Sequence, residues 1–159
     1  MTIRAAETKD IPEIVRLLEY LLNIHESLDP DYYNYEENYS EYLKSWVEQQ
    51  INSQNQFMLV AEANGGNLNR ISGIISGYIK YLFPWFKTKS VGHISFLSVD
   101  HLQQKRGIGK KLEEAAETWF KKKNIKYIEV FSNEANIPGK AAWKSYGYLP
   151  FNKFFRKII

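Results

Sequence analysis

Apolar positions along the 159-residue chain recur with two periods, and their alternation predicts most of its elements. Thr2-Ile3-Arg4-Ala5-Ala6 reads as a short strand. Ile11, Ile14, Val15, Leu18, Leu21 and Leu22 then recur every three or four residues, the spacing of one buried helical face. Asp10 is placed to cap that helix, with Glu13 completing a capping-box pattern and Pro12 tolerated in the first turn. Residues 29–39 are turn-rich. Ser40 is then expected to cap a second helix carrying Leu43, Trp46, Val47 and Ile51 on its apolar side. Phe57 to Ala61 is a strand, and a turn around Asn64-Gly65-Gly66 leads to its hairpin partner, Ile71 to Leu82. Residues 83–90 read as a loop, and His93 to Val99 as an apolar strand.

A long amphipathic helix comes next, with Ile108, Leu112, Ala115, Ala116, Trp119 and Phe120 on its buried face. A strand over 126–131, a short helix near 138–146 and a final strand over 151–158 complete the chain. The order is β-α-α-β-β-β-α-β-α-β, with room for a further short strand near the end. That order predicts an α/β (α+β mixed sheet) fold in a single domain spanning 1–159.

The helix start after the 93–99 strand is chemically odd. Its sequence is Gln104-Lys105-Arg106-Gly107-Ile108-Gly109-Lys110-Lys111. Two glycines let the backbone approach a ligand, and no Ser, Thr, Asp or Asn stands immediately before Gly107 to cap the outward-facing amides. Lys110 and Lys111 occupy the positive end of the helix dipole, where cations are disfavoured, and Lys105 and Arg106 add two more charges. An anion, most simply a phosphate, resolves the conflict. A P-loop is excluded because Gln stands at 104 and Lys at 111, and a dinucleotide fingerprint lacks its third glycine at Leu112.

What remains is Gln-x-x-Gly-x-Gly, which resembles the acyl-CoA pyrophosphate motif of the GNAT (GCN5-related) N-acetyltransferase superfamily. Asn136 and then Trp143-Lys144-Ser145-Tyr146-Gly147-Tyr148 follow at the family's usual distance. The family's common Ala falls on Gly139 and its common Tyr on Trp143.

The resemblance implies an acetyl-CoA-dependent N-acetyltransferase with the GNAT fold. It places the pyrophosphate on Gln104, Lys105, Arg106, Gly107, Ile108, Gly109 and Lys110, and the pantetheine arm along Leu97, Ser98 and Val99. It also places Asn136 against the cosubstrate, with Ser132 and Asn133 as alternatives on the same strand end. Tyr146 either packs in the core or protonates the leaving thiolate, and His93 either is structural or serves as the base. The implied reaction is direct attack by an amine, which fits the absence of cysteine. A non-catalytic acyl-CoA-binding regulatory domain is the alternative.

Charge refines the acceptor. Net charge is +3, yet Glu26, Asp29, Asp31, Glu36, Glu37 and Glu41 lie in one segment without Lys or Arg. Tyr32, Tyr33, Tyr35 and Tyr39 share it, so carboxylates and ring faces together suit a cation. A polyamine, an aminoglycoside-like amine, or a protein Lys or N-terminus is therefore the expected acceptor; the bland alternative is a solvated loop. The aromatics interleave with acids, which argues against nucleic acid. Three scattered histidines and no cysteine predict no metal site. No apolar stretch approaches a membrane span and no basic-then-apolar signal opens the chain, so no membrane partner and a cytoplasmic location are expected. A homodimer is left open.

Overall fold

A computed structural model describes residues 1–63 and 71–159. Strand β1 (Thr2–Ala5) leads through a short turn into helix α1 (Ile11–Leu28), and α2 (Tyr39–Ile51) follows. Strands β2 (Gln56–Glu62), β3 (Ile71–Tyr81) and β4 (Ser90–Val99) come next, then α3 (Ile108–Lys122), β5 (Ile128–Val130) and α4 (Ile137–Ser145). The five strands form one sheet in the order β1-β2-β3-β4-β5. Every pair is antiparallel except β4 with β5, which run parallel. This is the mixed-sheet α/β arrangement expected. The expected Asn64-Gly65-Gly66 turn lies outside the described residues.

Period-two alternation on β2 and β3 divides the core between the sheet's two faces. Met58, Val60 and Ile74 point to α1 and α2, where they meet Ile14, Leu17, Leu18 and Val47. Phe57, Ala61 and Ile75 point to α3, where they meet Leu112, Ala116 and Phe120. The first seven residues of β3 are buried, since both of its faces are covered.

Several expectations change. Asp10 does not cap α1 with its side chain. Its carboxylate instead accepts the Glu7 N–H at 2.8 Å and pairs with Arg4 at 2.6 Å, joining β1 to the helix start. Ser40 lies inside α2, whose preceding residue is Asn38, and its hydroxyl donates to Glu19 on α1. The 151–158 segment carries no ladder: Phe154 sits edge-on to Phe131 at 5.0 Å, and Arg156 reaches Asp29 at 2.7 Å. Side chains beyond β5 hold it where a strand partner was expected.

Candidate functional site

The register of β4 makes the site. Ser76 pairs with Phe96 and Gly77 with Ile94, so Ser95 is the extra residue of a bulge against β3. On its other side β4 pairs with β5 only through Gly92, His93 and Ile94. Pairing therefore stops where the bulge bends the strand, and Ser95 to Val99 diverge from the chain that follows Val130. A cleft of about 760 Å³ opens between them, lined by Ser95, Phe96, Leu97 and Val99 on one wall and Val130 to Asn133 on the other. An extended arm can add to the β4 edge there as a strand would.

The start of α3 forms one end of this cleft. Gly107 adopts φ +76°, and Lys105 adopts φ +59°, so the loop turns through two left-handed residues. No side chain caps the helix, and its first internal bond is Lys111 N–H to the Gly107 carbonyl. The amides of Ile108, Gly109 and Lys110 are thus free for a ligand. Gln104, Lys105, Gly107, Ile108, Gly109 and Lys110 all line the cleft. The Gln104 amide also reaches the Val99 carbonyl at 3.4 Å and the Tyr20 hydroxyl at 3.3 Å. Asp100, buried behind the loop, holds it to α1 through Arg16 at 3.0 Å. Together these features make an anion-binding helix start on a braced loop.

Helix α4 forms the facing wall with Asn136, Gly139, Trp143 and Tyr146. The Asn136 side chain accepts the Gly139 N–H at 3.0 Å, so its carbonyl caps α4. The Tyr146 hydroxyl lies 2.6 Å from the point a Cβ on Gly109 would occupy, directly over the helix start. Burial, reinforced by Glu113, raises the Tyr146 phenol and keeps it protonated at neutral pH.

Glu113 itself is buried on the α3 face and accepts the Tyr148 hydroxyl at 2.9 Å, tying the end of α4 to α3. Burial raises its carboxyl, while the Tyr148 bond opposes the rise. Removing that hydroxyl in Tyr148→Phe leaves a buried acceptor, at a cost of about 1–3 kcal/mol. The carboxylate bears the cost, so the loss vanishes below the ordinary glutamate range and grows as pH rises. Urea unfolding at pH 4 and pH 8 checks this; equal losses at both would reduce the hydroxyl to packing.

Other expected residues lie elsewhere. The Ser98 hydroxyl is buried and donates to the Leu17 carbonyl at 2.8 Å. The Arg106 guanidinium donates to Gln103 at 3.0 Å and does not line the cleft. His93 sits between the rings of Tyr78 and Phe131, at 5.0 Å and 4.9 Å, outside the cleft lining. Burial, then Lys80, lowers its pKa, and its Nδ1 has no hydrogen-bond partner. Ser95 also lines a second cavity of about 330 Å³, with Trp46, Gln50, Gln56 and Tyr78.

The sequence reading missed the cleft's rim. Leu21 belongs to the apolar stripe of α1 and Tyr33 to the acidic segment, yet both line the cleft with His25. Arg156 closes on Asp29 and lies 5.0 Å from the Tyr32 ring centre, so part of the acid and tyrosine segment already holds a cation. Glu113 had a legible signal, since a charged residue interrupts the apolar stripe of α3. Among the described residues, no cluster of three His, Asp or Glu side chains is placed to hold a metal. None of the described helices is long and apolar enough to cross a membrane.

The fold and cleft have counterparts among known proteins. A tetramutant of the BH1408 protein from Bacillus halodurans superposes with TM-score 0.88 at 21% identity, with both chains fully covered. The aminoglycoside 6'-N-acetyltransferase AAC(6')-Ig from Acinetobacter haemolyticus gives 0.75 at 17% identity, covering 100% of this chain and 99% of that one. A predicted acetyltransferase from Clostridium acetobutylicum, solved with acetyl-CoA, gives 0.76 at 20% identity, covering 99% and 95%. Comparison with curated proteins yields no match. The model of the acetyltransferase (GNAT) family matches residues 21–148, from within α1 through the Gly147-Tyr148 turn. This span takes in every wall of the cleft, and the chain belongs to the GNAT family of acetyl-CoA-dependent acetyltransferases.

Proposed function

We propose that this protein transfers the acetyl group of acetyl-CoA to a primary amine of a cationic acceptor. The observation that carries the proposal is the continuity of one cleft, from the uncapped start of α3 to His25 and Tyr33 beside the acidic segment. Lys105, Lys110 and the amides of Ile108 to Lys110 suit the pyrophosphate, and the edge of β4 from Ser95 to Val99 suits the pantetheine arm.

A neutral amine nitrogen attacks the thioester carbonyl carbon, forming the C–N bond and an oxyanion. Collapse breaks the C–S bond, the thiolate takes a proton to leave as CoA-SH, and the positively charged nitrogen sheds one proton, which returns through water to the group that protonated the thiolate and leaves a neutral amide. Tyr146 is the acid best supported for that proton, because its protonated hydroxyl overlies Gly109 beside the helix start. The ammonium's own proton goes to water or to a base. His93, held neutral by burial, is the candidate, acting through water because it stands outside the cleft.

The acceptor class follows from the rim. Carboxylates and tyrosine faces attract an ammonium, and Arg156 against Asp29 and Tyr32 shows a cation held in that manner. A thiol-release assay with acetyl-CoA and a panel of polyamines, aminoglycosides and peptide amines tests the activity. Release with none of these amines would favour an acyl-CoA-binding regulatory role.

Replacing Asp29, Asp31, Glu36 and Glu37 by their amides should raise KM for a polyamine roughly tenfold or more at low salt. KM for acetyl-CoA should hardly change. The difference should shrink as salt screens charges beyond about 8–10 Å. Unchanged polyamine KM at low salt would reduce the segment to a solvated loop.

A further inference from the structure

Helix α2 carries a polar side chain where its buried face calls for an apolar one. Leu43, Trp46, Val47 and Ile51 pack toward the sheet, and Gln50 lies among them at 7% exposure. A buried side-chain amide ordinarily has a hydrogen-bond partner. The Gln50 amide has none among the described residues, and it lines the second cavity, of about 330 Å³.

The other walls repeat the pattern. Trp46 lies one turn before Gln50 on the same helix face. Gln56 and Tyr78 stand directly opposite each other across β2 and β3, and Ser95 is the bulge residue of β4. Each of these five side chains carries a hydrogen-bonding group, and none of those groups has a partner among the described residues. On the same face of β3, two residues before Tyr78, the fully buried Ser76 hydroxyl is unpartnered as well. No Asp, Glu, Lys or Arg lines the cavity. Unmet, uncharged groups around two aromatic rings suit a ligand that is itself uncharged and both donates and accepts hydrogen bonds.

Position says which molecule brings that ligand. Ser95 lines the cosubstrate cleft too, so the cavity adjoins the stretch of β4 suited to the pantetheine arm. We propose that the cavity receives the end of the acceptor remote from its reacting amine, and that this end is an uncharged carboxamide or hydroxyl group held by Gln50 and Gln56. The proposal rests on the transferase reading above and narrows it. Acids and tyrosines at the rim draw in the reacting ammonium. A second ammonium in the cavity would lie without a carboxylate, and a carboxylate there would lie without a cation. A diamine is therefore a poorer acceptor than an amine of equal length ending in an amide or an alcohol. Glutamine amides both donate and accept, so they pair with either of those ends.

Primary amines of equal chain length ending in carboxamide, hydroxyl, carboxylate or ammonium test the proposal through two readouts. With CoA bound, the uncharged pair should shift the side-chain amide signals of Gln50 and Gln56 in a proton–nitrogen correlation spectrum, and the charged pair should not at equal concentration. In thiol release with acetyl-CoA, kcat/KM for the uncharged pair should exceed that for the charged pair by about tenfold or more. Gln50→Leu with Gln56→Leu should erase the advantage, and Gln56→Leu alone should reduce it if the double variant does not fold. The better of carboxamide and hydroxyl names the group for which the cavity is built. Charged-ended amines acetylated as well as the uncharged pair, or an advantage that survives both leucines, would overturn the cavity assignment and leave the transferase reading standing. Shifts at Gln50 and Gln56 without thiol release from any amine would do the reverse, and silence in both readouts would remove both.

Discussion

Gly109→Val should remain folded and bind CoA about 100-fold more weakly or worse. The added side chain rises over the amides of Ile108, Gly109 and Lys110, the groups free to meet a phosphate. Each hydrogen bond to a charged group contributes about 1.5–3 kcal/mol, so losing two removes about 3–6 kcal/mol. At 1.4 kcal/mol per tenfold, that is two decades or more. A second effect is separable. A Cβ on Gly109 would stand 2.6 Å from the Tyr146 hydroxyl but 3.7 Å from the ring carbon that bears it. Tyr146→Phe therefore relieves the contact without reopening the amides. Calorimetry should find CoA binding still lost in the Gly109→Val, Tyr146→Phe pair. Recovery there would assign the loss to a displaced tyrosine, and unchanged affinity in Gly109→Val alone would end the phosphate assignment.

Phe120→Ala should cost about 3–5 kcal/mol, the range for emptying a buried phenylalanine site. Its ring is fully buried on α3, 5.3 Å from the Phe57 ring, and lies so close to Gly92 that a Cβ there would meet it at 2.6 Å. A side chain at position 92 cannot fill the space left, because glycine occupies it. At about 2–4 °C per kcal/mol for a chain of this size, Tm should fall by roughly 6–20 °C. Urea unfolding monitored by tryptophan fluorescence checks the value; a loss under about 1 kcal/mol would mean that α3 does not anchor this end of the sheet. The same helix presents the cleft's amides at its other end, so a loosened Phe120 should also weaken CoA binding in proportion to the unfolded fraction.

Legibility differed by the range over which each feature is specified. Ile108, Leu112, Ala116 and Phe120 announce α3 because helical burial repeats locally, and Gly107 and Gly109 announce its open start because a missing cap is visible in six residues. The bulge at Ser95 has no such sign. It depends on which β3 residue pairs with Ile94 and with Phe96, a relation between segments about twenty residues apart. The Glu113–Tyr148 tie spans 35 residues and could be suspected only as a charge out of place. Leu21 satisfied the apolar stripe of α1 yet lines the cleft, because periodicity reports a face and not what lies opposite. The 151–158 segment has the composition of a strand, but a ladder needs a neighbour, and composition does not supply one. Asp10 and Ser40 are good capping residues whose side chains found stronger partners in Arg4 and Glu19.

The bulge has a consequence for how such a chain can change over generations. The cleft exists because β4 holds one residue more than β3 requires, and nothing about that surplus depends on a serine side chain. Exchange of Ser95 for another small polar residue leaves the count intact. Deleting it does not: with Ile94 opposite Gly77 and Phe96 opposite Ser76, the ladder with β3 would close evenly, each side chain would keep its face, and the bend that parts β4 from the chain after β5 would be lost. The position is thus permissive to substitution and closed to deletion, and in related chains the length between Ile94 and Val99 should be kept more strictly than the residues that fill it.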